Sequence, residues 1–265
     1  MDPMALMDFL GFSVGEVERM ALVLARLTGL FLAAPFFSRA IGPMRVRVTL
    51  LLAITLVIYP LVPPWPGEGG ASAWELGTTA FVEALIGAIV GMLAHWVLVA
   101  VQVAGTIMGF EMGLSMAMVM DPTSGVQEGV LSNLLYMTSL MIFLAVNGHH
   151  WMLEGIARSF TSLPLGQGLP ESAILYEAAL QGFMRMFELS ILIAAPVVVA
   201  SKILYLGMGL INRASPQIQV FFVAMPIAQM MGFFIMGLTL AIFSQVMVRE
   251  MEAFANLAFS VVNLR

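Results

Sequence analysis

The chain has 265 residues, of which 60% are hydrophobic and 10% are charged, and its mean hydropathy is +0.97. Since a soluble domain carries about 25% charged residues, this composition excludes an ordinary soluble protein and indicates a membrane protein with several spans. The lack of cysteine excludes disulfides and cysteine-based metal sites, and the net charge of −5 argues against nucleic acid as a partner.

Long apolar stretches predict an all-α integral membrane protein with about six helical segments, some of them kinked or broken. In chain order the predicted segments are 17–37, 46–62, 74–108, 129–147, 176–200 and 217–247. Prolines and glycines predict loops over 60–70 and 148–171, and Pro226 predicts a kink or a broken pair of helices in the last segment. No hydrophilic block is long enough for a core of its own, so we expect a single membrane-embedded domain over residues 1–265.

The most informative stretch is residues 105–122, which read GTIMGFEMGLSMAMVMDP. Gly105, Gly109 and Gly113 recur every fourth residue, which predicts a smooth helical stripe that another helix can approach closely. Methionines recur at the same spacing beside this stripe, Glu111 lies in the middle, and an Asp-Pro pair ends the pattern. Because methionine side chains are flexible and fill irregular spaces, the stretch indicates either a deformable gate or plug, or ordinary core packing.

Ionisable residues in or beside the apolar segments are a second clue. They are Arg26, Glu83, Glu111, Arg185, Glu188 and Lys202. Each would cost about 2.5–3.5 kcal/mol at the centre of a lipid-facing helix, so we expect them to face protein or water. Arg185 and Glu188 are three residues apart and can pair on one helical face. Arg26 and Glu83 need a neighbouring helix or another subunit. Buried packing pairs, a proton or ion relay and ion pairs between subunits are the alternatives.

A catalytic or metal-binding function has little support in the sequence. Ser115 follows Gly113 in a Gly-x-Ser element like that of intramembrane serine proteases, for which His149 or His150 would be the base. However, the motif requires a glycine two residues after the serine, and this chain has Ala117 there. Both histidines also lie at the end of a predicted segment. The histidine pair has no third metal ligand at a useful spacing, and no Gly-x-x-x-x-Gly-Lys phosphate-binding loop is present.

Several motifs occur in a specific order along the chain. They are Ala33-Ala34-Pro35 with Arg39, Pro43-Met44-Arg45-Val46-Arg47, Gly105 to Asp121-Pro122, Asn147-Gly148-His149 with Trp151, Leu163-Pro164-Leu165-Gly166, and Gly209 to Gln217 with Pro226 beyond it. In this order and spacing, which extends almost from end to end, the chain resembles the FliR/SpaR family of type III secretion export-gate proteins. The stretches Gly-Leu-Ser and Asn-Gly-His are closer to the flagellar branch of that family.

The resemblance implies a fold, a location and partners. The fold is the helical hairpin of the FliP/FliQ/FliR export gate, and the location is the bacterial inner (cytoplasmic) membrane at the flagellar basal body. One copy would assemble with several copies of FliP and FliQ around a channel for unfolded flagellar substrates, with FlhB and FlhA as further partners. Neither an enzymatic activity nor a cofactor is implied.

The resemblance also implies roles for particular residues. A luminal plug loop that seals the channel corresponds to Gly113, Leu114, Ser115, Met116, Ala117, Met118, Val119, Met120, Asp121 and Pro122. The family often has aromatic residues at the positions of Met116 and Val119, where this chain keeps large apolar side chains. Gly105, Gly109 and Gly113 would provide the hinge and the close helix packing. Candidates for inter-subunit ion pairs are Glu83, Arg185, Glu188, Lys202 and Arg213. The rival interpretation is a stand-alone ion-coupled small-solute transporter, with Glu83, Glu111 and Arg185 as relay residues.

Overall fold

The computed structural model describes residues 13–34, 43–67, 69–115, 129–169, 172–215, 217 and 219–263. Every regular element in these ranges is a helix, so the expected all-α class is confirmed. The α-helices are α1 (Val14–Ala33), α2 (Met44–Ile58), α3 (Ala73–Glu111), α4 (Val130–Ala145), α5 (Gly148–Ser162), α6 (Ser172–Ala214) and α7 (Val220–Asn263), with a short 3₁₀ turn over Tyr59–Leu61.

Within the described residues, four helical stretches are long and apolar enough to cross a membrane. They are Met44–Leu61, Ala73–Glu111, Leu175–Ala214 and Phe222–Leu240. Helices α4 and α5 would form a fifth span if counted together, and they meet at a bend of 65°. Helices α3, α6 and α7 have 39, 43 and 44 residues. At 1.5 Å per residue their contour lengths are about 60–65 Å, roughly twice the hydrocarbon thickness of a bilayer.

Local sequence signals explain where the helices begin. Ser13 and Glu16 form a capping box at α1, in which the Ser13 backbone N–H and hydroxyl donate to the Glu16 carboxylate. These two hydrogen bonds lower the pKa of Glu16. Ser72 and Glu75 repeat the same exchange of hydrogen bonds at the start of α3. Helix α1 ends at Ala33, and the extended backbone of the next residue, Ala34, suits the proline that follows it in sequence.

Three features differ from the sequence-based expectations. The region 148–171 was expected to be a loop, but α5 occupies Gly148–Ser162 because Met152, Ile156 and Phe160 recur at helical spacing and are buried. Helices α6 and α7 continue 14 and 16 residues beyond their expected ends at residues 200 and 247. Helix α7 is a single helix in which Pro226 lies in the second turn, so the expected broken pair is wrong; a kink there stays a prediction.

The chain divides into two compact units. One comprises the described residues up to His95 together with Asn147–Gly182 and the chain from Glu252 onward, and the other comprises Trp96–Val146 and Phe183–Met251. The core of the first unit contains apolar side chains of α1, α3 and α5, and these include Leu27, Leu30, Ile86, Val90, Ile156 and Phe160. The single membrane-embedded domain expected from the sequence stays a prediction.

Glycines bring α1 and α3 into backbone contact inside the first unit. A Cβ atom added at Gly29 would lie 1.8 Å from the carbonyl oxygen of Ala84, and one added at Gly87 would lie 1.8 Å from that of Arg26. One turn further along α3, a Cβ at Gly91 would lie 2.9 Å from the carbonyl oxygen of Leu30. No side chain fits in these spaces, so only glycine permits this helix crossing.

Candidate functional site

Helix α3 ends inside the motif that the sequence singled out. Gly113 has a φ of +72°, a left-handed conformation that ends the helix, and its N–H donates to the carbonyl of Phe110 at 3.0 Å. The N–H of Ser115 donates to the carbonyl of Gly109 at 3.2 Å, and a Cβ at Gly109 would lie 2.8 Å from the Ser115 hydroxyl oxygen. The absence of a side chain at Gly109 therefore lets the turn fold back onto α3.

An ion pair connects this end of α3 to α6. The Lys202 ammonium donates to both carboxylate oxygens of Glu111, at 2.6 and 2.9 Å. The Tyr205 hydroxyl donates to the backbone carbonyl of Glu111 at 2.8 Å, which satisfies one of the carbonyls left open at the helix end. Lys202 is 61% exposed and Glu111 is 18% exposed, so the pair lies at the rim of the second unit.

Methionines surround the same turn. Met112 is completely buried, and a Cβ at Gly232 of α7 would lie 2.6 Å from its sulfur, so Gly232 provides the space that Met112 fills. The terminal carbon of Met225 would lie 3.0 Å from a Cβ at Gly113. We refer to Glu111–Ser115 with Lys202, Tyr205, Met225 and Gly232 as the α3 end site.

The predicted plug is divided by the limit of the described residues. Gly113, Leu114 and Ser115 belong to the α3 end site, and Ser115 is buried there. The other predicted plug residues lie outside the described residues; they are Met116, Ala117, Met118, Val119, Met120, Asp121 and Pro122. Their sealing role therefore stays a prediction.

The glycine stripe is also a place where helices approach each other closely. A Cβ at Gly105 would lie 2.6 Å from the Cα atom of Ser132 in α4. The Ser132 hydroxyl donates to the carbonyl of Gln102 at 2.8 Å, which adds a hydrogen bond to the contact. A hinge requires motion, so the hinge function expected of Gly105, Gly109 and Gly113 stays a prediction.

We expect Lys202→Glu to loosen the α3 end site, because it replaces an attraction with a repulsion and leaves Glu111 without its cation. A partly exposed pair contributes about 1 kcal/mol, so amide hydrogen exchange in residues 106–115 should become about fivefold faster. The double exchange Glu111→Lys with Lys202→Glu should restore protection. Arg213→Glu, at the exposed last turn of the same helix, is the control. Unchanged exchange in Lys202→Glu would show that the pair does not hold the turn.

A second polar cluster lies fully inside the first unit. The Arg26 Nε donates to a carboxylate oxygen of Glu83 at 2.6 Å, and its Nη1 donates to the Ser159 hydroxyl at 3.0 Å. Its Nη2 donates to the carbonyl of Leu163 at 3.0 Å, while the N–H of Gly166 donates to the second oxygen of Glu83 at 3.1 Å. We call these five residues the buried ion centre. It connects α1, α3 and α5 to the turn that follows α5.

This cluster also explains the Leu-Pro-Leu-Gly motif of residues 163–166. The carbonyl at the start of the motif and the N–H at its end bind Arg26 and Glu83, while Leu165 is buried. Gly166 has a φ of +80°, and a Cβ there would lie 3.1 Å from the Trp65 ring. The motif is therefore a tight turn whose backbone ends are held by opposite charges.

Glu83 does not fit the inter-subunit role expected of it. Both of its carboxylate oxygens have partners within the chain, and its side chain is 1% exposed. The sequence indicated that Arg26 and Glu83 each need a partner. It did not indicate that they pair with each other, because they are 57 positions apart in the chain. Of the alternatives weighed for these two residues, the structure supports a buried packing pair.

The other candidate ion-pair residues lie at more exposed positions. Arg185 donates to both carboxylate oxygens of Glu250 at 2.6 and 2.9 Å, and to Glu188 at 2.8 Å. Glu250 follows the predicted end of the last segment and was missed for that reason. Arg213 is exposed in the last turn of α6. Ion pairs between subunits stay a prediction for the four candidates Arg185, Glu188, Lys202 and Arg213.

Sequence reasoning missed several residues that shape these sites. Tyr205, Gly232 and Met225 complete the α3 end site, but nothing in their sequence spacing relates them to residue 111. The crossing of α1 and α3 had a detectable signal, because Gly87 and Gly91 are four residues apart in an apolar helix.

Comparison with known proteins gives a consistent family assignment. A sequence profile of the bacterial export proteins, family 1, matches residues 17–254. The flagellar biosynthetic protein FliR of Caulobacter vibrioides is 29% identical over 228 residues, which cover 85% of this chain and 90% of the relative. FliR of Pectobacterium carotovorum is 32% identical over 218 residues, 81% of each chain.

A more distant relative carries a different name. The surface presentation of antigens protein SpaR of Shigella flexneri is 25% identical over 214 residues, which cover 80% of this chain and 81% of the relative. The resemblance to the FliR/SpaR family is thereby confirmed. Because the profile match extends over most of its length, the chain belongs to the bacterial export proteins, family 1.

Proposed function

We propose that the chain is a non-enzymatic subunit of the flagellar type III protein export gate in the bacterial inner membrane. Together with FliP and FliQ it forms the channel for unfolded flagellar substrates, and FlhB and FlhA are further partners. The proposal is supported by the family assignment and by several relatives that carry the name flagellar biosynthetic protein.

The observation that carries the proposal is the geometry of the α3 end site. A long apolar helix stops at a left-handed glycine, and Lys202, Tyr205 and a buried methionine hold that stop in place. The methionine-rich residues 116–120 follow directly in sequence. A segment anchored in this way keeps a fixed starting point while the residues beyond it respond to a passing chain.

The chemistry of the following residues suits a seal. Met116, Met118, Val119 and Met120 offer no group that could replace the hydration shell of an ion, so an apolar plug made of them excludes ions. Many weak contacts hold such a plug in place, and an unfolded substrate can displace it without breaking a covalent bond. Unbranched methionine side chains then repack after the substrate has passed.

The experiment that tests the proposal is native mass spectrometry of the tagged chain, gently extracted from the membranes of its own host. We expect a discrete complex that holds one copy of this chain and several copies of two smaller hydrophobic proteins. A monomer or a pure homo-oligomer, obtained under conditions shown to preserve membrane complexes, would contradict the proposal and favour the transporter interpretation.

We expect the triple variant Met116→Ala, Met118→Ala and Met120→Ala to leak ions, because the smaller side chains leave gaps in the seal. Membrane conductance in cells without export substrates should rise at least severalfold, since pore conduction depends on the hydrophobic constriction. The matched control replaces Met137, Met141 and Met184, which are exposed methionines of α4 and α6, with alanine. Equal conductance in the two triple variants would refute the sealing role.

A further inference from the structure

An apolar groove runs between α6 and α7 inside the second unit. Its walls include Leu189, Leu192 and Pro196 on α6, and Ile242 and Val246 on α7. The groove encloses a cavity of about 370 Å³. Pro196 lies within α6, so this wall includes a residue that has no backbone N–H. We call this feature the α6–α7 groove.

One end of the groove is charged. Arg185 and Glu250 lie there, and Arg185 is engaged by both Glu250 and Glu188. Arg249 lines the same end and is 80% exposed, and its Nε reaches Glu250 only at 3.9 Å. The guanidinium fork of Arg249 is therefore presented to a ligand at the mouth of the groove.

The dimensions of the groove match one leaflet of a bilayer. From Arg185 at the charged end to Pro196 at the apolar end, α6 advances 11 residues, or about 16 Å. Half of the hydrocarbon core of a bilayer is about 15 Å thick. A hydrocarbon tail that lies along the groove thus places its polar headgroup beside Arg249.

We propose that the α6–α7 groove binds one hydrocarbon tail of a glycerophospholipid, whose phosphate accepts hydrogen bonds from Arg249. Guanidinium groups bind phosphate through two parallel hydrogen bonds, and the apolar walls exclude water from the tail. The lipid fills a space that water would occupy unfavourably, and it holds α6 and α7 at their present separation.

The size of the groove disfavours a protein segment as the occupant. A helix 10 Å in diameter and 16 Å long occupies roughly 1,250 Å³, which is more than the groove holds. The two arginines and two glutamates near the mouth also balance in charge, which favours a zwitterionic headgroup over an anionic one. Phosphatidylethanolamine carries a phosphate for Arg249 and an ammonium for a neighbouring carboxylate, so it is the probe that we would use.

The test is native mass spectrometry of the extracted, delipidated protein in its assembled form, titrated with phosphatidylethanolamine. Leu192→Trp and Ile242→Trp each fill the groove from one wall, and Leu206→Trp places the same ring on an exposed part of α6 as the control. Wild type and Leu206→Trp should bind one lipid more per copy of this chain than either groove variant. Arg249→Ala should weaken that binding about tenfold, as expected for a lost charge-assisted pair.

Two outcomes would overturn the proposal. One is equal lipid binding in wild type and in both groove variants, provided that each variant assembles like the control. The other is a crosslink to protein from Val246→Cys that has been labelled with a benzophenone maleimide. The label occupies a single site of this chain, because the chain has no cysteine of its own. A lipid adduct at that position is the expected result.

Discussion

Gly87→Ala is expected to separate α1 from α3 and to lower the free energy of unfolding by about 3 kcal/mol. The added methyl group would lie 1.8 Å from the carbonyl oxygen of Arg26, so two helix backbones must move apart to admit it. No flexible side chain at this contact can yield instead. Gly29→Ala should act in the same way, because its methyl group would lie 1.8 Å from the carbonyl oxygen of Ala84.

A glycine of the same helix provides the control. Gly77 lies near the start of α3 and has no atom within 4 Å of an added Cβ. Gly77→Ala should therefore leave stability unchanged or raise it by up to about 1 kcal/mol, because alanine favours the helix. Thermal unfolding of the extracted protein, followed by the loss of helical circular dichroism, measures both effects. Equal melting temperatures for Gly77→Ala and Gly87→Ala would contradict the close backbone contact.

Glu83→Ala is expected to cost about 3–5 kcal/mol, because it leaves the buried guanidinium of Arg26 without its counterion. Arg26 is completely buried, so water cannot replace the lost carboxylate. The same change removes the acceptor of the Gly166 N–H and so frees the turn after α5. We expect faster amide exchange in residues 159–169 together with the loss of stability.

Two further variants show whether the loss of stability in Glu83→Ala arises from the burial of its ion pair with Arg26. The double variant Arg26→Met and Glu83→Leu removes both charges, so it should be less destabilised than either single variant. Arg158→Ala breaks an ion pair with Glu154 in which both side chains are more than half exposed, and it should cost less than about 1 kcal/mol. If Glu83→Ala costs no more than Arg158→Ala, the buried ion centre does not stabilise the first unit.

The sequence predicts most of the fold because hydropathy and helical length are local properties. It identifies the long apolar helices, because hydropathy and periodicity depend on residues that are close together in the chain. It places the end of the glycine and methionine pattern at Asp121-Pro122, whereas α3 already ends at Glu111 and Gly113 forms a left-handed turn after it. It fails at α5 because glycines and prolines in 148–171 suggested a loop, whereas the apolar residues from Met152 to Phe160 already had helical spacing. Local composition outweighed periodicity in that prediction.

The sites are predictable only in part because their partners are distant in sequence. The cost of burying a charge shows that Arg26, Glu83 and Glu111 need partners, and each has one in the structure. Which partner each one finds depends on how the helices cross. The crossing of α1 and α3 depends on the close contact between Gly29 and the carbonyl of Ala84. Residue spacing within one helix does not show which residue of another helix it will contact.

The lengths of α3, α6 and α7 affect how much of the protein accumulates in the cell. A helix twice as long as the hydrocarbon core cannot hide its whole apolar surface in lipid. Helix α6 exposes Tyr176 and Leu210, which are 34 residues or about 50 Å apart along the helix, so one hydrocarbon core cannot cover both. Copies without neighbours to cover these surfaces become substrates for quality-control proteases. The steady-state abundance of the chain is therefore expected to follow the supply of the proteins that cover it, more than its own rate of synthesis.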